Sequence, residues 1–246
     1  MDRMKSAAAA PSKARYHHGD LRNALVEAAV ELVATRGPEA FSLREAARAL
    51  GVSPAAAYRH FEDKRALLAA VALDGLARLA AWMEKGIGKV ASPPGSAARA
   101  AAVFVAVGDA YVEFAVRHPA HFRVMFGSWC DHPEPGEAGE LAHAAAFPGR
   151  DPFQILIDVL DDLVRAGAIT TAARSGGEVV AWAAVHGLAG LAIEGVLRLG
   201  PSERRQATQH VSRSVLLGLG CSPAVIASAL APLKADPGDL VPKRKG

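Results

Sequence analysis

Cysteine is nearly absent from this chain. Only Cys130 and Cys221 occur in 246 residues. Two thiols cannot build a disulfide framework, and no CxxC pair or Cys/His cluster has zinc-ligand spacing. Aromatic residues are also scarce, at 6%. Strands draw on β-branched and aromatic side chains, whereas alanine, which recurs throughout, is the best helix former. The composition therefore favours close-packed helices, and no convincing strand or repeat is read. No apolar run reaches the roughly 20 residues that span a bilayer. The most apolar stretch, Val179 to Ile193, is bounded by Glu178 and Glu194 and interrupted by His186, so it reads as a buried helix. The N-terminal MDRMKSAAAAPSKAR lacks the apolar core of a signal peptide. These absences lead us to expect a soluble, cytoplasmic protein, with no membrane partner and reduced thiols. With hydrophobic residues at 51% and charged residues at 22%, global disorder is excluded.

Catalytic signatures are missing too. There is no HExxH, no GxSxG and no phosphate-binding loop. His118 and His121 stand three apart, and Asp158, Asp161 and Asp162 cluster. His118-Pro119 reads as a helix boundary, however, and the aspartates as a solvated face. No catalytic residue, metal ligand or cofactor is assigned.

What is present begins with charge placement. The net charge is +3, but residues 1–89 carry +4 and the remainder −1. His17, His18 and His60 add to the first third. A weakly basic small module suits an anionic partner. Residues 1–15 and 233–246 read as flexible tails, the second ending in Lys243, Arg244 and Lys245.

Apolar spacing then divides the chain into helices. Asp20 can cap a first helix whose Leu21, Leu25, Ala28, Ala29, Leu32 and Val33 share one face, and Gly37-Pro38 ends it. Ser42 with Glu45 forms a capping box for a second helix carrying Leu43, Ala46, Ala47 and Leu50. Ser53 caps a short third helix, with Pro54 at its first position. A long helix follows over 64–85. Ser92-Pro93-Pro94-Gly95-Ser96 is the best domain boundary. Beyond it, helices are expected over 97–117, 119–127, 152–167, 176–199 and 202–219, with a last short one after Ser222-Pro223. The segment 130–150 reads as a long loop or as a loop with a short helix near Glu140–Ala146.

The first three helices, the second and third joined by a Gly-x-Ser turn, make a helix-turn-helix. Ala47 is small where the third helix crosses, Gly51 suits a turn with positive φ, and Phe61 and Leu67 close the core. The third helix would then present Ser53, Pro54, Ala55, Tyr58, Arg59 and His60 to a major groove. Arg59 can fork onto guanine or a phosphate, and alanine methyls can pack on thymine. Ser42, Arg44 and Lys64 stand at helix starts where a phosphate would meet free N–H groups.

FSLREAARALGVSPAAAYRHFEDKRALL, with the upstream HHGDLRNALVEAAVELVATRG, resembles the DNA-binding module of tetracycline-repressor-type (TetR family) regulators. HPAHFRVMF and WAAVHGLAGLAIEG are similar to the tryptophan-x-x-x-histidine-glycine class of that family's C-terminal domains. The resemblance implies an all-α protein. An N-terminal helix-turn-helix domain (16–80) would be joined by the long helix to a helical-bundle dimerisation and ligand domain (95–220). It further implies a transcriptional regulator, a repressor, binding a near-palindromic operator in double-stranded DNA as a homodimer and released by a small-molecule effector. Where the family commonly has glycine or lysine near the start of the third helix, this chain has Pro54-Ala55-Ala56-Ala57. Base readout would lean on Arg59, methyl contacts and DNA shape. The alternative is a helical protein-interaction module without specific DNA binding.

Within the second domain, the segment 176–199 is apolar on nearly all sides, and Gly187 and Gly190 would let a helix approach closely. Val211, Val215, Leu216 and Leu219 give 202–219 a stripe able to pack beside it. These two helices are the expected dimer interface. Candidate effector-pocket residues are Phe104, Tyr111, Phe122, Phe126, Trp129, Phe153, Trp182 and His186; each could equally be core. His186 and Glu194 are open between pocket, core and interface.

Overall fold

The computed structural model describes residues 21–127 and 150–231. Eleven helices form among them, and no strand. They are α1 (Leu21–Arg36), α2 (Leu43–Ala49), α3 (Pro54–Tyr58), α4 (Lys64–Gly88), α5 (Ala97–Arg117), α6 (Pro119–Met125), α7 (Pro152–Arg165), α8 (Thr171–Arg174), α9 (Gly177–Ile193), α10 (Pro201–Gly218) and α11 (Pro223–Leu230).

Local chemistry fixes most of the boundaries. Ser42, Ser53, Asp63, Ser96, Asp151, Thr170 and Ser222 each accept a backbone N–H at a helix start. The Ser42/Glu45 capping box is formed as expected. Gly51 has φ +68, the left-handed turn that brings the Val52 N–H back to the Ala47 carbonyl at 3.0 Å.

Helices α1–α3 and the first turns of α4 share a small core of Leu25, Ala29, Val33, Phe41, Leu43, Ala46, Ala47, Ala57, Phe61 and Leu67. Helix α4 continues from that core into the second bundle, where it packs on α5, α6 and α7. Helix α5 is the axis of the bundle and touches α4, α6, α7, α9, α10 and α11. Helix α6 also touches both halves, lying against α4, α5 and α1. Helix α4 is also long and apolar enough to cross a membrane by length and composition; here half of that span is buried inside the protein.

The structure differs from expectation at two places. The helix read over 176–199 ends at Ile193, because Glu194 caps it and Gly195 turns left-handed with φ +73 before Pro201 opens α10. The one-turn α8 was not anticipated. The stripe on α10 packs inside the subunit beside α5 and α9, as expected: Val215, Leu216 and Leu219 are buried and Val211 is half-buried. The Asp20 cap, the segment 130–149, Trp129, Cys130 and both tails lie outside the described residues. Cys221 is buried, and desolvation pushes its thiol pKa up, away from reactivity.

Candidate functional site

The first site is the outer face of α3. Its inward residue, Ala57, is fully buried against α2. Ser53, Pro54, Ala55, Tyr58, Arg59 and His60 are all exposed, and Tyr58 is 46% accessible despite its ring. Six consecutive or near-consecutive side chains therefore form an outward ridge on a helix anchored by its own cap: the Ser53 hydroxyl oxygen accepts the Ala56 N–H at 3.2 Å.

The flanking positions divide. Arg44 is exposed on α2 with no ion-pair partner among the described residues. Ser42 is already engaged. Its hydroxyl donates to Glu45 Oε2 at 3.0 Å and accepts the Glu45 N–H. Its bonds to the Glu45 carboxyl, with Arg36 beside it, hold that group below the usual carboxylate range. A negative Glu45 at this point disfavours a phosphate on Ser42. Lys64 also has structural partners: its ammonium donates to the Glu39 carbonyl at 2.8 Å and lies 5.1 Å over the Phe41 ring. Asp63 accepts the Ala66 N–H at 2.8 Å, so the start of α4 is already capped by a carboxylate. The free N–H groups expected there are not all free.

The second site lies inside the C-terminal bundle. Tyr111 of α5, Phe122 and Phe126 at the end of α6, Phe153 of α7, and Trp182 and His186 of α9 come together in one aromatic cluster. Phe122 stacks on His186 with ring centres 5.1 Å apart, Phe126 meets His186 edge-on at 4.8 Å, and Phe153 lies 5.6 Å from Trp182. The Tyr111 hydroxyl lies 2.8 Å from His186 Nδ1 and accepts the Trp182 Nε1–H at 3.2 Å. Burial pushes the Tyr111 phenol up and the His186 imidazole down, so both stay neutral at neutral pH. Phe104 is buried on α5 without a ring contact to this group among the described residues, so it reads as core.

Sequence reasoning missed a polar chain between the two sites. His121 of α6, almost fully buried, places Nε2 3.0 Å from Asp74 Oδ2 of α4. The same oxygen accepts from Arg78 at 2.6 Å, and Arg78 reaches Glu27 of α1 at 2.7 Å. The i,i+4 spacing of Asp74 and Arg78 was a readable signal; the partners on α1 and α6 were not. The hydrogen bond from His121 is the main cause that lowers the Asp74 pKa below its ordinary 3.8. A depressed carboxylate stabilises the fold above the unfolded value and loses that contribution as pH falls through the folded one. Asp74→Asn should therefore be less stable than wild type at pH 7 in urea titrations, and the gap should close below pH 3.8. A gap independent of pH would contradict this.

Helix α9 has a second face, roughly opposite Trp182 and His186. Val180, Ala183, Gly187 and Leu191 lie along it and are exposed, Val180 at 55%, with Val179 beside them at 63%. The space beside Gly187 and Gly190 is open. Glu194 is exposed at the end of α9. A cavity of about 360 Å³ opens between α5 and the α9–α10 corner, at Val116, Leu197, Leu199 and Arg204; none of the candidate pocket residues lines it.

The surface acidic groups are paired as a solvated face: Asp158 with Arg150, Asp161 with Arg174, and Asp162 with Arg165. No group of three metal-ligating side chains occurs among the described residues.

An all-helical chain with an exposed helix-turn-helix ridge and an aromatic-lined second bundle has the build of a DNA-binding transcriptional regulator. Comparison with known proteins agrees. Residues 25–71 match the family profile of bacterial regulatory proteins of the tetR family, and residues 104–215 match that of the tetracyclin repressor-like C-terminal domain. The chain belongs to the TetR family, whose members are regulators and not enzymes. A protein of unknown function from a Rhodococcus species is 33% identical over 83% of this chain and 98% of its own, with a TM-score of 0.66. The TetR family regulator PfmR from Thermus thermophilus is 22% identical over 79% and 98%, with a TM-score of 0.53. NalD, the secondary repressor of the MexAB-OprM efflux pump in Pseudomonas aeruginosa, is 20% identical over 80% and 94%, with a TM-score of 0.53. At those identities the last two show the shared fold. No match is found among curated protein sequences.

Proposed function

We propose that this protein is a ligand-responsive repressor in the cytoplasm. As a homodimer it binds a near-palindromic operator through the α3 ridge and leaves the DNA when a small molecule occupies the aromatic cluster. The observation that carries the reading is the ridge itself, Ser53 to His60, exposed along its length on a helix whose opposite side is locked by Ala57. Arg59 is the base-reading residue, with Arg44 and Lys64 on phosphates. Repression needs only that the occupied operator excludes other proteins.

The dimer is supported by the exposed apolar face of α9, where Val180 and Leu191 stand in solvent and two glycines are open to a close helix. A two-fold pair then requires half-sites one helical turn apart, or a multiple of it. Release follows from population shift. The effector contacts Phe122 and Phe126 on α6, and α6 grips α4 through His121 and Asp74. Helix α4 begins at the reading head and acts as the lever. The ligand moves the equilibrium only by its differential affinity for the two spacings of the heads.

Arg59→Ala should weaken specific operator binding by ~1–3 kcal/mol, read by fluorescence anisotropy on a labelled duplex. Lys64→Ala should weaken binding to all duplexes and flatten its salt dependence. Equal binding by wild type and Arg59→Ala removes Arg59 from the site. Wild-type protein that binds no duplex at all leaves the helical protein-interaction module.

A further inference from the structure

The aromatic cluster leaves one hydrogen-bond donor without a partner, and the identity of that donor selects a ligand. Tyr111 is buried, so its hydroxyl hydrogen needs an acceptor, and a buried donor left unpaired is costly. Its oxygen already receives the Trp182 N–H, which directs its own hydrogen to His186 Nδ1, 2.8 Å away. Nδ1 must then be bare, and the ring proton sits on Nε2. Burial lowers the imidazole pKa and so disfavours a second proton. Nε2 has no hydrogen-bond partner among the described residues, and the ring is only half-buried. Around it, Phe126 and Phe153 are partly exposed and Trp182 is 38% exposed, so the cluster reaches the surface. None of the six residues carries a fixed charge. A carboxylate would enter this cluster without a counter-ion, and an ammonium would meet an N–H donor.

We propose that the cluster binds a neutral, planar aromatic molecule carrying one carbonyl oxygen. The oxygen accepts the His186 Nε2–H, and the ring packs against Phe126, Phe153 and Trp182. The inference rests on the reading of this cluster as the effector site. The Trp182–Tyr111–His186 chain acts as a positioning device: it holds the imidazole in one tautomer so that the site offers a donor and never an acceptor.

The test uses full-length protein, isothermal titration calorimetry and three probes of one shape: 1-indanone, indane and protonated 1-aminoindane. 1-Indanone should bind about tenfold or more tighter than indane, with 1-aminoindane weakest. His186→Phe keeps the ring and removes the donor, and should erase the preference for 1-indanone over indane. Tyr111→Phe frees the tautomer and should reduce that preference, which keeps the idea testable should His186→Phe fail to fold. Equal affinity of wild type for 1-indanone and indane, a preference surviving in His186→Phe, or no binding of 1-indanone would each overturn the proposal. Operator anisotropy run in parallel separates the two ideas. Selective 1-indanone binding that leaves operator affinity unchanged keeps the ligand class and removes the effector reading. Operator release without the carbonyl preference does the reverse.

Discussion

The double variant Val180→Asp, Leu191→Asp is expected to sediment as a monomer and to bind operator about 10²- to 10⁴-fold more weakly than wild type. The two residues are eleven apart, three turns of helix, and so lie on one line of α9 with Gly187 between them. Val180 is 55% exposed and Leu191 42% in the isolated subunit. Two aspartates there would face their own copies across a two-fold axis, where like charges without counter-ions oppose association. Neither residue belongs to the subunit's own core, so the monomer should remain folded, which circular dichroism checks. The loss of DNA affinity follows because one head on one half-site forfeits the effective concentration that the second head gains from the first. Sedimentation as a dimer with unchanged operator binding would place the interface elsewhere.

Asp109→Asn is expected to stabilise the protein above pH 7 by at most about 4 kcal/mol. Asp109 lies on α5, and one of its carboxylate oxygens is buried without a hydrogen-bond partner among the described residues. Desolvation pushes its pKa from 3.8 to about 7, against the pull of Arg205 and with some help from Glu113. The unfolded chain releases this proton near pH 4, whereas the folded chain holds it to about pH 7. Between those values the native state binds more protons, so wild-type stability falls as pH rises. Asparagine does not ionise, so the variant lacks this loss. The two proteins should be closest below pH 4 and diverge up to pH 7 in urea titrations. Parallel curves across that range would show that Asp109 is not held in its acid form.

Local signals were legible because they act within a few residues. The Ser42/Glu45 box, the Ser53-Pro54 start and the limits of α5 rest on caps and on apolar spacing, and the structure reproduces them. The pairs Phe122/Phe126 and Trp182/His186 have i,i+4 spacing, so each was legible as one face of a helix. That the two faces meet, and meet Tyr111, depends on topology. The same reason hid the link from Glu27 through Arg78 and Asp74 to His121, and the pairing of Arg204 on α10 with Glu113 on α5, 2.9 Å apart. The overextended α9 had another cause. Val196, Leu197 and Leu199 continue the apolar pattern past Glu194, and only Gly195 marks the left-handed turn. The apolar stripe of α10 was legible from its spacing, and the structure packs it beside α9 and α5. For Ser42 the capping role and the proposed phosphate role use one hydroxyl, and the structure gives it to the cap.

The central claim is that two copies of the Ser53–His60 ridge read one DNA site. Selection of bound fragments from random duplex DNA by the full-length protein tests it most directly. The account predicts enrichment of a single two-fold symmetric sequence, its half-sites one helical turn or a multiple apart, and loss of that enrichment with Arg59→Ala. Recovery of unenriched sequence, or of an asymmetric site indifferent to Arg59, would contradict it.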